Sequence, residues 1–347
     1  MKNFIVNGKF MAERMQGIVR YSREIVAELD KLIDDCVTVT LVIPPNAKDI
    51  PVYRNIKIES IGKHTGVIWE QLDLGRYVRK HKEAKLINLC NVAPFGVKPG
   101  VTVVHDIMYK VNHDHYLTLR NRVSRIWHEL QYSYLFKHEE LILTVSNFSK
   151  KEIEKYYPVT KGKVRVVPDG WEHVLKYKES KDWQDRYPYL QPGKFYFSLA
   201  TLSKNKNGIW IMKVAEKNPD AVFAMGGKIY ETEYEKIPPN VYLLGFISDE
   251  DACALMKNCK AFLFPSIYEG FGIPPLEALA LGAEVIAAHS TSLPEVLGDS
   301  VHYIDPYDYD VNLEQIIHKD VAKKEDVLRK YGWNTSAQIL LQLLMDI

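Results

Sequence analysis

The sequence predicts an α/β protein of two domains, each an open, mainly parallel sheet covered by helices. Three observations predict this. The length, 347 residues, exceeds what one compact core usually fills. Short β-branched runs recur between helix-like stretches, the rhythm of βαβ units. One polar, proline-punctuated break near the middle interrupts that rhythm, and it then resumes.

In the first half the strand candidates are 4–6, 37–43, 56–61, 84–90, 101–107, 141–146 and 164–168. Helical stretches at 17–33, 67–80, 120–138 and 148–156 repeat apolar residues every three or four positions. The segment 172–194 is rich in charge and carries Pro188 and Pro192, which predicts a connection between domains. A second set of strands follows at 195–200, 221–227, 241–247, 261–266, 284–290 and 301–306, and Trp333 to Met345 form a last helix beyond it. The expected organisation is therefore a first domain at 1–172, a connection at 173–194, a second domain at 195–330 and a closing helix within 331–347. Open parallel sheets bind ligands beyond the carboxyl ends of their strands, so functional residues are expected in the loops there.

Composition narrows the function. With 46% apolar and 26% charged residues the chain is globular. Forty-five basic residues against 44 acidic ones give a net charge of +1, so no strong field draws it to nucleic acid. Cys36, Cys90, Cys253 and Cys259 show neither a CxxC pair nor zinc-like spacing, which fits a reducing cytoplasm. The run MKNFIVNGKF leads straight into a strand, the expectation for a chain without a secretory leader. No apolar run approaches the roughly 18 residues of a spanning helix, so membrane contact is expected to be peripheral, at the inner face. The helix at 120–138, with Arg120, Arg122, Arg125, Trp127, Tyr132, Tyr134 and Phe136, is a candidate for that contact but reads better as a core helix with a basic outer face.

The most informative stretch is FLFPSIYEGFGIPPLEALALG, 262–282: a buried strand, a glycine-bearing loop and a helix. Gly270 and Gly272 let the backbone approach a ligand, and Pro274 and Pro275 suit a first helical turn. A helix tip of this kind binds phosphate or sugar oxygens through unpaired N–H groups and its dipole. Glu269 and Glu277 flank the loop eight residues apart. A hydrolytic carboxylate pair needs about 5–5.5 Å, whereas eight helical residues span roughly 12 Å. The two read as hydroxyl binders.

This E-x7-E spacing, followed by SLPEVLGD at 292–299, resembles the donor site of retaining family-4 glycosyltransferases of the GT-B fold, two Rossmann-like domains facing across a deep cleft with a last helix crossing back to the first. The resemblance implies that Glu269 holds hydroxyls of the donor sugar, that Glu277 holds the ribose, and that Gly270, Phe271, Gly272 and Ile273 lie near sugar and phosphate. It extends over nearly the whole chain. GIVRYSREIVAEL at 17–29 is similar to the family's early glycine loop, so Gly17 is implied near the donor phosphate with Arg20 in support. VTVVHDIMY at 101–109 is similar to the strand end that sets a histidine against the sugar, which makes His105 and Asp106 candidates. VSNFSKKEIEKYY and VRVVPDGWE are similar to scaffold and hinge segments, and YGWNTSAQIL to the closing helix. LLGFIS at 243–248 stands where the family sandwiches the nucleotide base, which implies Gly245, Phe246 and Ile247 as base contacts, with a plain turn carrying a core Phe as the alternative.

One segment departs from the pattern. ATLSKNKN at 200–207 stands where relatives carry Gly-Thr-Leu-Glu-Pro-Arg-Lys-Asn. Thr201, Lys206 and Asn207 keep implied donor roles, but Asn205 replaces the arginine and Ala200 the glycine. A leaving diphosphate gathers negative charge in the transition state, so the departure leaves three readings open: Lys206 and the helix tip suffice, another cation such as Lys204 substitutes, or activity is weak.

No DxD-type motif stands by a glycine turn to clamp Mg²⁺, and no metal or other cofactor is expected. The implied reaction passes a hexose-type sugar from a nucleotide diphosphate sugar to a glycan or lipid-linked acceptor hydroxyl with retention, in bacterial surface polysaccharide or lipid-linked glycan assembly. A dehydrogenase is disfavoured because the first βα turn lacks G-x-G-x-x-G. An epimerase or phosphorylase on the same fold, or a partner subunit that binds nucleotide sugar without transfer, stays open, the last because of Asn205.

Overall fold

The computed structural model describes residues 2–98, 100–112, 119–178, 180–199, 204–227 and 236–347. These form two compact units, residues 1–170 with 332–347, and residues 171–331.

The first unit is built on seven parallel strands: β1 (Lys2–Asn7), β2 (Val37–Ile43), β3 (Lys57–Ser60), β4 (Lys85–Asn88), β5 (Val101–Val103), β6 (Leu141–Thr144) and β7 (Val164–Val166). Their order is β3-β2-β1-β4-β5-β6-β7. The second unit has β8 (Phe195–Ser198), β9 (Val222–Gly226), β10 (Val241–Gly245), β11 (Ala261–Phe264), β12 (Val285–Ala288) and β13 (His302–Ile304), in the order β10-β9-β8-β11-β12-β13. β5, β6, β8, β11 and β12 are buried along their whole length, as strands covered on both faces must be. Every expected strand is present. Several end earlier than their apolar runs, because the chain leaves the ladder just where polar side chains begin: 101–107 stops at Val103, before His105 and Asp106.

The helices Gly17–Leu32, Leu119–His138 and Asn147–Tyr156 match the periodic stretches. The stretch 67–80 is broken into Gly66–Ile68, a π-helical turn at Trp69–Leu74 and Gly75–Lys80. The wider turn puts Glu70 and Trp69 inside the unit, both wholly buried.

The segment 173–194 is not a connection but part of the second unit. Its charge and prolines conceal anchors. Trp183 is buried with its ring 6.1 Å from that of Phe195, and Arg186 donates from Nε to Asp251 on the helix Asp249–Asn258, 3.0 Å away. The last helix, Trp333–Met345, belongs to the first unit and packs on Gly17–Leu32. Gly170 of the Pro-Asp-Gly turn permits that packing, since a Cβ there would lie 2.4 Å from the Trp333 nitrogen. Among the described residues no helix is long and apolar enough to cross a membrane. In the helix Leu119–His138, Tyr132, Leu135 and Phe136 join the core while Val123, Ile126 and Leu130 form an exposed stripe.

Candidate functional site

In the second unit the loop between β11 and the helix Ile273–Leu281 is fastened from three directions. Glu269 Oε1 accepts a hydrogen bond from Lys206 Nζ at 2.6 Å and lies 2.5 Å from the Ser266 hydroxyl. Its backbone N–H donates to Thr291 Oγ1 at 3.1 Å, and the Ser292 hydroxyl lies 3.0 Å from the carbonyls of both Glu269 and Phe271. From the other side, the Asn205 carbonyl accepts from the Ile267 N–H at 2.8 Å. Gly272 caps the helix in the left-handed region, with φ +103°, and a Cβ there would meet Leu293 at 2.6 Å. Only glycine fits.

Pro274 and Pro275 have no N–H, so the helix tip is narrower than a generic one. Its open donors are the amides of Phe271, Gly272 and Ile273, which have no partner among the described residues. Lys206, a cation held by the same loop, is partly exposed, paired with Glu269 and 5.3 Å from the centre of the Phe264 ring. Thr201 lies outside the described residues. Asn207 is close by but is committed to the scaffold. It is buried at φ +55°, begins the helix Gly208–Lys217, and its amide nitrogen donates to the carbonyls of Pro265 and Pro306 at 3.1 and 2.8 Å.

Glu277 faces a partner that sequence reasoning missed. His173, 1% exposed, holds its Nε2 2.6 Å from Glu277 Oε1. The only sequence signal was a histidine just after the Pro-Asp-Gly turn, inside a stretch read as the connection between domains. At the end of β10, Gly245 takes φ +69° and Phe246 is 90% exposed. An exposed phenyl ring at a strand's carboxyl end is not core packing. Ile247 is half-buried beside Gly226.

In the first unit, β1 and β4 are neighbours, yet the chain proceeds from β1 toward β3 and from β4 toward β7. This reversal is the topological switch point, where open α/β sheets bind ligands. Gly17 is exposed there as the first residue of its helix, and Gln16 before it supplies no side-chain cap. His105, beyond β5, is buried. Its backbone N–H donates to Asn91 Oδ1 at 2.7 Å and its Nε2 lies 2.9 Å from the Leu89 carbonyl. A carbonyl only accepts, so Nε2 carries the proton and Nδ1 is left as an acceptor. Burial lowers the imidazole pKa to about 4, only partly opposed by the Leu89 carbonyl, and the ring is neutral near pH 7. Tyr21 stands edge-on to it at 4.8 Å and to Trp333 at 6.0 Å, a support that sequence reasoning did not find. Asp106 turns one carboxylate oxygen back to the Met108 N–H, 2.8 Å away, closing the turn after β5. Among the described residues no group of three His, Cys, Asp or Glu side chains could hold a metal ion.

Residues 15–173 match the family model described as Glycosyltransferase Family 4, and residues 181–332 match that of Glycosyl transferases group 1. The chain is 48% identical over 242 residues to the Escherichia coli O-antigen chain mannosyltransferase B, covering 62% of this chain and 60% of that protein. It is 28% identical over 226 residues to the E. coli serotype-specific mannosyltransferase WbdA, covering 60% of this chain and 27% of the relative. The chain thus spans between about a quarter and three-fifths of these relatives' length. Its fold is that of a sucrose-phosphate synthase from Thermosynechococcus elongatus, at TM-score 0.73 and 14% identity over all of this chain and 99% of the other. It is also that of Anabaena HepE solved with UDP and glucose, at TM-score 0.68 and 17% identity over the whole of both chains.

Proposed function

This chain belongs to glycosyltransferase family 4, and from that premise we propose that it transfers a hexose-type sugar from a nucleotide diphosphate sugar to an acceptor hydroxyl with retention of configuration. The observation that carries the reading is the loop after β11, where Glu269 is fixed by Lys206 and Ser266 beside three unpartnered amides. Glu269 takes hydroxyls of the donor sugar, while Lys206 and the amides of Phe271, Gly272 and Ile273 receive the diphosphate. Glu277, aimed by His173, receives the ribose, and Phe246, with Gly245 and Ile247, takes the base. Gly17 adds a backbone approach to the phosphate. His105, neutral and fixed, offers Nδ1 to a sugar hydroxyl.

In the step itself the bond from the anomeric carbon to the phosphate oxygen breaks, and its electron pair leaves with the diphosphate. The acceptor hydroxyl oxygen bonds to the anomeric carbon on the same face and gives its proton to the departing phosphate oxygen. Lys206 and the backbone amides stabilise the charge that develops, so turnover needs no metal. The E. coli relatives named as mannosyltransferases support a mannosyl group and surface polysaccharide assembly as the first setting to try. Val123, Ile126 and Leu130, exposed on the same helix as the exposed Arg122, support peripheral contact with an anionic membrane. Failure to sediment with phosphatidylglycerol vesicles overturns that contact. For the transfer itself, purified chain is incubated with GDP- and UDP-sugars, a hydroxyl acceptor and EDTA. Retained product is expected; an inverted anomer, or turnover only with Mn²⁺, contradicts the mechanism.

A further inference from the structure

The first unit contains a charged group that the donor site does not use. Lys9 sits in the 3-10 turn Gly8–Ala12, immediately beyond β1 at the switch point, with its side chain 10% exposed. Among the described residues its ammonium makes one hydrogen bond, to Glu70 Oε2 at 2.8 Å. An ammonium has three donors, so two remain without a partner among the described residues, in a nearly buried position. A buried polar group left this way is costly unless something else completes it.

The support around Lys9 is built across three strands. Glu70 comes from the π-helical turn, a distortion that recurs at functional sites, and its other oxygen accepts from Asn7 Nδ2 at 2.8 Å. Asn7 also donates to Asn88 Oδ1 at 3.1 Å, and Asn88 donates to Thr102 Oγ1 at 3.1 Å. This row links β1, β4 and β5, and His105 follows β5 two residues on, held by Asn91 and the Leu89 carbonyl beyond β4. The stacked rings of Tyr109 and His128, 4.1 Å apart, lie near enough for the Lys9 charge to act on His128.

Charge decides what the open donors would take. Burial alone would lower the Lys9 pKa, but Glu70, with Glu13 adding to it, more than offsets that and holds the group protonated. Two carboxylates thus act on one ammonium, and an anionic ligand gains little there. A neutral hydroxyl suits the donors without disturbing the ion pair.

We propose that Lys9, locked by Glu70 at the switch point of the first sheet, donates hydrogen bonds to acceptor hydroxyls and defines a subsite for the neutral, polyhydroxylated end of a glycan. The assignment of this ligand as acceptor rests on the transfer reading above. Saturation-transfer NMR on the full chain tests it, with methyl α-mannoside as the neutral probe and mannose 6-phosphate as the anionic one. Lys9→Met alone leaves the Glu70 charge buried and unpaired, so the charge-matched double variant Lys9→Met with Glu70→Gln is compared with Lys9→Arg.

The unmutated chain and Lys9→Arg are expected to give signal to methyl α-mannoside, stronger than to mannose 6-phosphate. The double variant should lose about fivefold or more, the effect of one or two hydrogen bonds. An unchanged signal in the double variant, no signal in the unmutated chain, or a Lys9-dependent preference for mannose 6-phosphate overturns the subsite. The rise in Tm with GDP or UDP is read on the same samples and should survive both variants. Its absence from the unmutated chain defeats the transfer reading instead, while the sugar signal still decides the fate of Lys9.

Discussion

The carboxyl ends of the two sheets are prepared differently. In the second unit Glu269 and Glu277 are each held by a named cationic or imidazole partner, and open amides stand next to them. In the first unit His105 is buried and neutral, and Lys9, the one buried ammonium among its described residues, is already balanced by a carboxylate. Donors and a partly exposed cation suit a diphosphate, while a neutral, hydrogen-bonding surface suits hydroxyls. A shared βαβ architecture therefore carries two chemistries, set by the few residues beyond each strand.

The largest effect should come from breaking the second unit's anchor. Glu269→Ala removes the partner of Lys206 and Ser266, and turnover should fall about 10²- to 10³-fold while nucleotide affinity in calorimetry stays close to that of the unmutated chain. A parallel loss of nucleotide affinity would mean that the residue fastens the loop rather than the sugar.

The first unit's neutrality has its own signature. His105 has a folded pKa of about 4, well below the ordinary value of 6.5. The unfolded chain therefore takes up this proton first as pH falls. The stability from keeping the ring neutral is fully present above pH 6.5 and is lost progressively down to pH 4, amounting to about 3 kcal/mol. Urea unfolding across that window should show the loss, and His105→Gln should flatten it. An unchanged slope in the variant would place the acid sensitivity elsewhere.

Glu277→Ala should weaken nucleotide binding about tenfold, the scale of a charge-assisted hydrogen bond. His173→Gln, which keeps a donor near the same place, should weaken it less. Equal losses in both would make His173 more than an aiming residue. The smallest effect belongs to Phe246→Ala, about fivefold in nucleotide affinity if the exposed ring stacks on the base, with no change in Tm because the ring supports nothing in the core.

Much of this was legible beforehand. The strands were, because fully buried parallel strands are written as continuous β-branched runs. The Glu269 loop was, because glycine, proline and paired acids mark a strand-loop-helix with a special backbone. The tertiary partners were not. Nothing in the sequence says that His173 reaches across 104 positions to Glu277, or that Lys9 meets Glu70 through a helix turn widened by one residue. Asn207 had the right position for a ligand role, yet its amide is used to join two strand ends. The segment 173–194 looked like a linker because its charge is local and visible, whereas the burial of Trp183 depends on a strand it had not yet met.

The measurement that bears most directly on the account is a crystal structure of the full chain with a bound nucleoside diphosphate. The pyrophosphate should lie against the amides of Phe271, Gly272 and Ile273, within hydrogen-bonding reach of Lys206, with the ribose on Glu277. A diphosphate bound elsewhere, with those amides still unfilled, would contradict it.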